Sequence, residues 1–159
     1  MLVEGTSDRI AVETLAQRHG RDLAAEGVAV EPIGGAQAIR RALERHAGAR
    51  LVGLVDAGEA AGFRRVLEDV FVCEPDLEGE LIRALGAEEV VRVVEAHGDL
   101  GPFRTLQKQP SWRGRPLEEQ LRRFMGSGGR RKIRYASYLV DAVELDAVPR
   151  PLAGVLAAV

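Results

Sequence analysis

The chain contains 159 residues, 46% of them hydrophobic, and carries a formal net charge of −2. This length is enough for a single domain (residues 1–159) whose core needs no disulfide, and the single cysteine, Cys73, excludes an internal one. No apolar run approaches the roughly 20 residues that cross a bilayer, and no signal peptide opens the chain. We therefore expect a soluble, cytoplasmic protein without a membrane partner.

The charge is distributed unevenly along the chain. Residues 101–135 hold ten of the 22 basic and two of the 24 acidic residues, a net +8, which leaves twelve basic and 22 acidic residues elsewhere, a net −10. This split is typical of proteins in which metal-binding carboxylates lie beside a surface that binds a polyanion. A solvated helix face, or a GC-rich genome that favours arginine, would explain it equally simply.

The first half of the chain alternates short apolar runs with helical periodicity. A buried strand ends at Glu4, and a turn leads into a helix that we expect Ser7 or Asp8 to cap. Continuous apolar runs between helices are typical of parallel sheets that are covered on both faces. Residues 1–86 therefore predict an α/β core, with strands at 28–33, 51–55 and 70–73, a turn at Gly34–Gly35, and helices at 36–46 and 62–67.

The second half predicts a mainly helical, basic extension over residues 87–159. Prolines at 102, 110 and 116 indicate an irregular segment over 98–116, because proline disrupts a helix interior. A flexible glycine-rich loop is expected at 126–129. The expected helices cover residues 77–85, 88–96, 116–125, a periodic segment marked by residues 133–143, and part of 149–159.

Acidic residues follow the predicted strands at three places. They are Glu4, Asp56 and the cluster Glu74, Asp76, Glu78 and Glu80. Parallel strands end at the same edge of a sheet, so these groups can converge although they are far apart in sequence. Converging carboxylates need a cation, and their hard oxygen atoms suit Mg²⁺ or Mn²⁺. Glu4 is the hardest to explain otherwise, since a carboxylate at the end of a buried strand needs a partner.

Several of these residues also have a simpler interpretation. Asp8 and Asp76 are both placed to cap helices, and Glu78 and Glu80 cannot both face one point from a regular helix. The three histidines lie near predicted helix C-termini, where capping is the expected role. The segment GSGGRRK at 126–132 lacks the spacing of a nucleotide phosphate loop. Phe103, Trp112 and Tyr135 could stack on unpaired bases, although core packing is the favoured interpretation.

Six segments stand out in order along the chain: LVEGTSDRIAVETLA (2–16), PIGG (32–35), LVGLVDAGE (51–59), PDLEGELIRALG (75–86), FRTLQKQPSWRGRP (103–116) and GRRKIRYA (129–136). Together they resemble the Toprim domain, which topoisomerases and bacterial primases share, and most closely its OLD (overcoming lysogenization defect) branch of nucleases. The resemblance covers nearly the whole chain and implies a Toprim-like, four-stranded, mostly parallel sheet flanked by helices, with one or two Mg²⁺ (or Mn²⁺) ions at its acidic edge.

The resemblance assigns roles to individual residues. Glu4 matches the Toprim glutamate, Asp8 the additional acid of the OLD-type opening, and Asp56 the first aspartate of the Toprim DxD motif. Glu78 or Glu80 matches a further acid, and Lys132 resembles a late basic residue that meets phosphate. The implied catalytic residues are Glu4, Asp56 and Lys132; the implied metal ligands are Glu4, Asp8, Asp56, Glu59, Glu78 and Glu80; and the arginines expected to hold the nucleic-acid backbone are Arg113, Arg115, Arg130, Arg131 and Arg134.

The sequence departs from the family pattern in two respects. Gly58 replaces the second aspartate of DxD, with Glu59 beside it, so either Glu59 substitutes or one metal site is weakened. OLD-family nucleases also carry an ABC-type ATPase ahead of the Toprim domain, and none is evident here. The chain is therefore expected to be a stand-alone Toprim domain, a fragment, or the partner of a separate ATPase.

The resulting expectation is a Mg²⁺-dependent endonuclease that acts on DNA. The alternative is a catalytically weakened module for nucleic-acid binding or assembly, partnering a separate ATPase. A topoisomerase-like or primase-like activity ranks last, because Tyr135 and Tyr138 are predicted to be packing residues rather than nucleophiles. The choice between DNA and RNA, the presence of a homodimer, and the activity of the isolated chain stay open.

Overall fold

A four-stranded sheet forms the centre of the computed structural model, which describes residues 1–34 and 38–159. All its strands are parallel and lie in the order β2-β1-β3-β4. The predicted α/β class is confirmed. The second glycine of the predicted Gly34–Gly35 turn and the predicted helix start at residue 36 lie outside the described residues. The strands are β1 (Leu2–Val3), β2 (Glu31–Pro32), β3 (Val52–Asp56) and β4 (Asp69–Cys73).

Helices cover both faces of the sheet. Neighbouring residues of a strand point to opposite faces, so Leu2 packs in one hydrophobic cluster with α2 and α3, and Val3 packs in the other with α1 and the later helices. The larger cluster contains residues from both sides of residue 86, where the sequence predicts the boundary between the α/β core and the helical extension. The organisation of the chain as a single domain stays a prediction. The helices are α1 (Thr6–Arg18), α2 (Ile39–Arg45), α3 (Ala60–Arg64), α4 (Leu77–Leu85), α5 (Ala87–Ala96), α6 (Leu100–Lys108), α7 (Leu117–Gly126), α8 (Gly129–Ala142) and α9 (Arg150–Ala157).

Helices α1 and α8 lie side by side and run in the same direction. At their C-terminal ends, Arg18 donates hydrogen bonds to the carbonyl oxygens of Val140 and Val143, at 2.5 and 2.6 Å. These carbonyls belong to the end of α8, where a helix leaves its acceptors unpaired, so Arg18 caps the neighbouring helix. The N-terminal ends of both helices are thereby directed to the carboxyl edge of the sheet.

The structure corrects several sequence-based boundaries. The segment predicted to be irregular contains α6, because Pro102 occupies the first turn, where its missing N–H would have had no acceptor within the helix. Strand β2 is shorter than predicted. Helix α1 begins at Thr6 with Gly5 as its N-cap, so the N-cap lies two or three residues before Ser7 and Asp8, although the side chain of Asp8 does take part in the cap by accepting from the Gly5 N–H.

Other predictions of local structure are confirmed. The loop predicted at 126–129 shortens to residues 127–128, but the periodic helix that follows it is present as α8. All three histidines, at 19, 46 and 97, are the C-cap residues of α1, α2 and α5. Cys73 is buried at the end of β4. Within residues 1–34 and 38–159, no helix is both long and apolar enough to cross a membrane.

Close packing of α9 on the sheet depends on the absence of a side chain at Gly154. A Cβ atom there would lie 2.7 Å from Cε1 and 2.8 Å from Cδ1 of Phe71. We therefore expect Gly154→Ala to lower the free energy of unfolding by about 1–3 kcal/mol, the usual cost of overpacking. Urea unfolding followed by circular dichroism measures this loss.

A matched glycine provides the control. A Cβ atom at Gly101, in the first turn of α6, would meet no atom within 4 Å, and the backbone angles there suit alanine. Gly101→Ala should leave stability unchanged or raise it by up to about 1 kcal/mol. Equal losses for both variants would contradict the close contact between Gly154 and Phe71.

Candidate functional site

The parallel pairing of β1 and β3 brings two acidic residues together at the carboxyl edge of the sheet. Val3 pairs with Leu54, so Glu4, which follows β1, reaches the end of β3 where Asp56 lies. Glu4 Oε2 accepts a hydrogen bond from the backbone N–H of Asp56, at 3.3 Å. The glutamate and aspartate of the predicted site are therefore neighbours.

Asp8 combines a local role with a place beside these two acids. Its Oδ2 accepts a hydrogen bond from the backbone N–H of Gly5 at 2.9 Å, and the Ser7 hydroxyl lies 3.4 Å from the same oxygen. The carboxylate reaches back from the third position of α1 to the N-cap residue, which is half of a capping box. Asp8 is only 4% exposed, and its charge acts on Glu4 and Asp56. Capping and membership of the acidic cluster thus coincide in one side chain.

The N-terminus of α4 completes the edge. The backbone N–H of Leu77 donates to Asp56 Oδ1 at 3.3 Å. Asp76 caps α4 by accepting from the N–H of Gly79 at 2.8 Å, and its other oxygen accepts from Arg122 Nε at 2.7 Å. Asp76 therefore connects the acidic edge with α7. The positions of the acids at the strand ends do not predict this connection.

The two glutamates that the sequence left undecided have different surroundings. Glu78 is buried, and its Oε2 lies 3.3 Å from Lys132 Nζ. Glu80 instead accepts the backbone N–H of Glu74 and a hydrogen bond from Arg83, both at 2.9 Å. Glu78 is thus paired with Lys132, whereas Glu80 is held by Glu74 and Arg83, which lie outside the group of acids at the sheet edge.

Burial, to which neighbouring acids add at several positions, raises the affinity of these carboxylates for protons. Burial, with help from the charges of Glu4 and Asp8, raises the pKa of Asp56 to about 7. Burial likewise raises the pKa of Glu4, Asp8 and Glu78 above their ordinary values, and Glu59 adds to the effect on Glu4. The acidic edge is therefore a place where added positive charge would be strongly favoured.

Lys132, near the start of α8, opposes this crowding. Burial alone would lower its pKa, but the carboxylates of Glu78, Asp8 and Asp56 outweigh burial and raise the pKa above the ordinary value. Lys132 consequently keeps its proton at neutral pH. Its charge lowers the pKa of each nearby acid, including Glu4.

The donor chemistry of the cluster fits a hard divalent cation, because it consists of carboxylate oxygens. In the described parts of the chain, however, no three His, Cys, Asp or Glu side chains are grouped closely enough to hold a metal ion as they stand. Glu4, Asp8 and Asp56 would have to turn from their backbone N–H partners towards a common point. The set is therefore suited to Mg²⁺ or Mn²⁺ in chemistry and not preassembled in geometry.

The arginines predicted to hold a nucleic-acid backbone divide into two groups. Arg113, Arg115, Arg130 and Arg134 are exposed. Arg131 is instead partly buried: its guanidinium lies 4.2 Å from the centre of the Phe124 ring and donates to Ser127 Oγ at 2.8 Å. Arg131 thus joins α7 to α8, and its role in holding nucleic acid stays a prediction.

Sequence reasoning missed Arg122 and Arg123 on α7. They lie between buried Leu121 and Phe124, and Arg122 forms the ion pair with Asp76 at 2.5 Å. Helical periodicity in the sequence predicts that both arginines are exposed. It does not predict that their side of α7 faces α4. That information comes from the tertiary packing alone.

A four-stranded parallel sheet between helices, with Glu4 and Asp56 meeting at its carboxyl edge, is the arrangement that the resemblance to a Toprim domain implies. Comparison with protein families supports this resemblance over the first part of the chain. Residues 1–57 match the family described as "Overcoming lysogenization defect protein-like, TOPRIM domain", and this range contains Glu4, Asp8 and Asp56. The predicted resemblance to an OLD-type Toprim domain is confirmed.

Solved structures extend the likeness in fold to nearly the whole chain. The C-terminal region of the Burkholderia pseudomallei OLD protein superposes with a TM-score of 0.70 at 16% identity, covering 98% of this chain and 93% of that one. The C-terminal region of the Xanthomonas campestris pv. campestris OLD protein gives a TM-score of 0.68 at 21% identity, covering 98% and 91%. No curated protein matches. The match of residues 1–57 to an OLD-like Toprim domain supports a function related to nucleic acids.

The raised pKa of Asp56 leads to a prediction about stability. In the unfolded chain this carboxyl ionises near pH 4, whereas in the folded chain it keeps its proton up to about pH 7. Because the folded state binds the additional proton, Asp56 lowers stability progressively as the pH rises between these values. Asp56→Asn should therefore raise the free energy of unfolding by about 1–2 kcal/mol at pH 8, after allowance for partial solvent screening, and by less at pH 5.

Urea unfolding in EDTA at both pH values measures the difference. Asp69→Asn is the matched control, because Asp69 lies at the opposite end of the sheet, where it pairs with Arg50 at 3.2 Å. The control should change stability by the same amount at pH 5 and pH 8. A gain for Asp56→Asn that does not grow with pH would contradict the charge crowding.

Proposed function

We propose that this chain is a metal-dependent nuclease that hydrolyses phosphodiester bonds of DNA at the carboxyl edge of its sheet. The observation that carries the proposal is the convergence of Glu4 and Asp8, from the start of the chain, with Asp56 at the end of β3. Burial raises the pKa of all three, and neighbouring acids add to the effect at Glu4 and Asp56. Such a cluster lowers stability unless it serves a ligand. A divalent cation held by carboxylates is the ligand that fits.

Glu4, Asp8 and Asp56 would hold the cation, with Glu78 and Glu59 as further candidate donors. When bound there, Mg²⁺ or Mn²⁺ supplies Lewis-acid chemistry, which lowers the pKa of a nucleophilic water and offsets charge on the phosphate. The protein's part is to hold these oxygens at the end of the rigid strands β1 and β3. Lys132, protonated and 3.3 Å from Glu78, would then neutralise charge on the substrate.

The helices add to the attraction of phosphate. The N-termini of α1 and α4 meet the acidic edge, as the hydrogen bonds from Gly5 to Asp8 and from Leu77 to Asp56 show. Helix N-termini carry partial positive charge and favour anions. The first turn of α8 brings Lys132 to the same edge. These features support binding of a phosphate next to the carboxylates, which by themselves would repel it.

Glu4→Gln tests the proposal directly. The change keeps the size of the side chain and the acceptor for the Asp56 N–H but removes one charged ligand, so nicking of supercoiled plasmid in Mg²⁺ or Mn²⁺ should fall by about 100-fold or more. EDTA should abolish the parent's activity. Glu13→Gln is the control, since Glu13 is an acid of α1 that pairs with Arg9 and lies outside the cluster. Parent-like cleavage by Glu4→Gln would refute the assignment.

The second candidate function is a binding or assembly module without turnover. Gly58, where the Toprim motif has an aspartate, favours it, as does the lack of a preassembled three-acid group among the described residues. Under either function, we propose that the nucleic acid is DNA. A separate ABC-type ATPase as a partner and a homodimer are also proposals. Metal affinity distinguishes the two functions.

Gly58→Asp tests whether the missing aspartate weakens the site. A Cβ atom at Gly58 meets nothing within 4 Å, and the backbone there does not require glycine, so an aspartate can be accommodated. Because ligand number and charge set affinity for hard cations, we expect Mn²⁺ to bind about tenfold more tightly. Isothermal titration calorimetry measures the change. Gly58→Asn, equal in size but uncharged, is the control, and equal affinities for the two variants would contradict the weakened-site hypothesis.

A further inference from the structure

A cleft of about 600 Å³ opens beside the acidic edge, between α4, α7 and the start of α8. Glu78 and Lys132 of the candidate site contribute to its lining, together with Trp112, Arg115 and Arg123 of the basic segment. Its volume lies within the roughly 300–1,000 Å³ that is usual for sites that bind small ligands. The cleft is thus continuous with the residues proposed to meet the scissile phosphate.

The indole of Trp112 is the notable surface in this cleft. One part of the side chain packs against the larger hydrophobic core, and the remainder lines the cleft. The guanidinium groups of Arg115 and Arg123 lie 5.2 and 5.9 Å from the centre of an indole ring, within the range of cation–π contacts. Trp112 therefore packs against the core, as the sequence predicts, and its indole is also accessible from the cleft.

The charges of the cleft are balanced except at one residue. Arg115 pairs with Glu119 at 3.2 Å, Arg122 with Asp76 at 2.5 Å, and Lys132 with Glu78 at 3.3 Å. Arg123 is exposed and has no carboxylate partner within the described ranges 1–34 and 38–159. A flat aromatic surface with an unneutralised guanidinium beside it is suited to a group that is both planar and anionic.

We propose that this cleft is a subsite for one unpaired nucleotide adjacent to the scissile phosphate, with its base stacked on Trp112 and its phosphate paired with Arg123. The proposal rests on the proposed function and narrows its substrate class. A base inside a duplex is stacked on both faces and cannot reach the indole, whereas a base in a single strand, a flap or a frayed end can. The preferred substrate is therefore DNA with unpaired nucleotides.

Trp112 provides its own reporter, because it is the single tryptophan of the sequence. The full chain is titrated with a 12-nucleotide oligothymidine in EDTA, which prevents cleavage, while tryptophan fluorescence is recorded. Stacking should quench the emission. A blunt duplex of the same sequence and an abasic strand of the same length and charge should not quench it. Equal quenching by the abasic strand would overturn base stacking and leave the nuclease proposal intact.

Substitutions give the energetic test. Trp112→Leu should weaken binding of the oligothymidine, followed by anisotropy, about 5- to 150-fold, the value of one base–aromatic stack, and Trp112→Phe should retain most of the affinity. Arg123→Gln should weaken binding and reduce the slope of log affinity against log salt by about one. Arg41→Gln, an exposed arginine of α2 on the opposite face of the sheet, is the matched control and should do neither.

The outcomes separate this proposal from the nuclease activity. Quenching that persists in Glu4→Gln, which is expected not to cleave, would support the subsite independently of hydrolysis. Cleavage of DNA by the parent without any quenching by the single strand would overturn the subsite alone. Since Arg123→Gln and the abasic strand leave the indole in place, the test does not depend on the stability of the Trp112 variants.

Discussion

The cost of burying several carboxylates at one edge of the sheet is the constraint on which the rest of this structure depends. Glu4, Asp8 and Asp56 share a partly desolvated edge, and burial raises the pKa of each. Lys132 opposes the effect at all three and at Glu78. Because Lys132 comes from the helical second half of the chain, docking of α8 beside α1 lowers the cost of the acidic edge. The capping of α8 by Arg18 fixes that arrangement from its far end.

The same edge is built from the most rigid parts of the chain. Glu4 and Asp56 follow directly from paired strands, and backbone N–H groups of Asp56 and Leu77 hold their carboxylates. These hydrogen bonds lower the cost of burying the charges without removing it, since the pKa of Asp56 still lies near 7. A binding site keeps such a remaining cost because its ligand relieves it, whereas a purely structural edge would carry apolar or paired residues.

Sequence patterns could predict which residues meet wherever strand topology alone decides the matter. The adjacency of Glu4 and Asp56 follows from parallel strands, which end at one edge. The separation of Glu78 from Glu80 does not, because it depends on Arg83 and on the Glu74 N–H, which capture Glu80. The contacts of Arg131 are unpredictable from sequence for the same reason: its charge is visible in the sequence, whereas its place on the Phe124 ring is a consequence of how α7 packs on α8.

The ion pair between Lys132 and Glu78 connects the acidic edge with the tryptophan cleft, since both residues line the cleft. Glu78 cannot serve Lys132 and a divalent cation equally, because both draw on the same carboxylate. Under the proposed function, a cation at Glu78 would weaken the ion pair and leave Lys132 available to a phosphate in the cleft. Binding of the cation would then raise the affinity for the nucleotide, and binding of the nucleotide would raise the affinity for the cation by the same factor. This exchange gives a physical reason for the basic segment at residues 101–135 in an otherwise acidic chain.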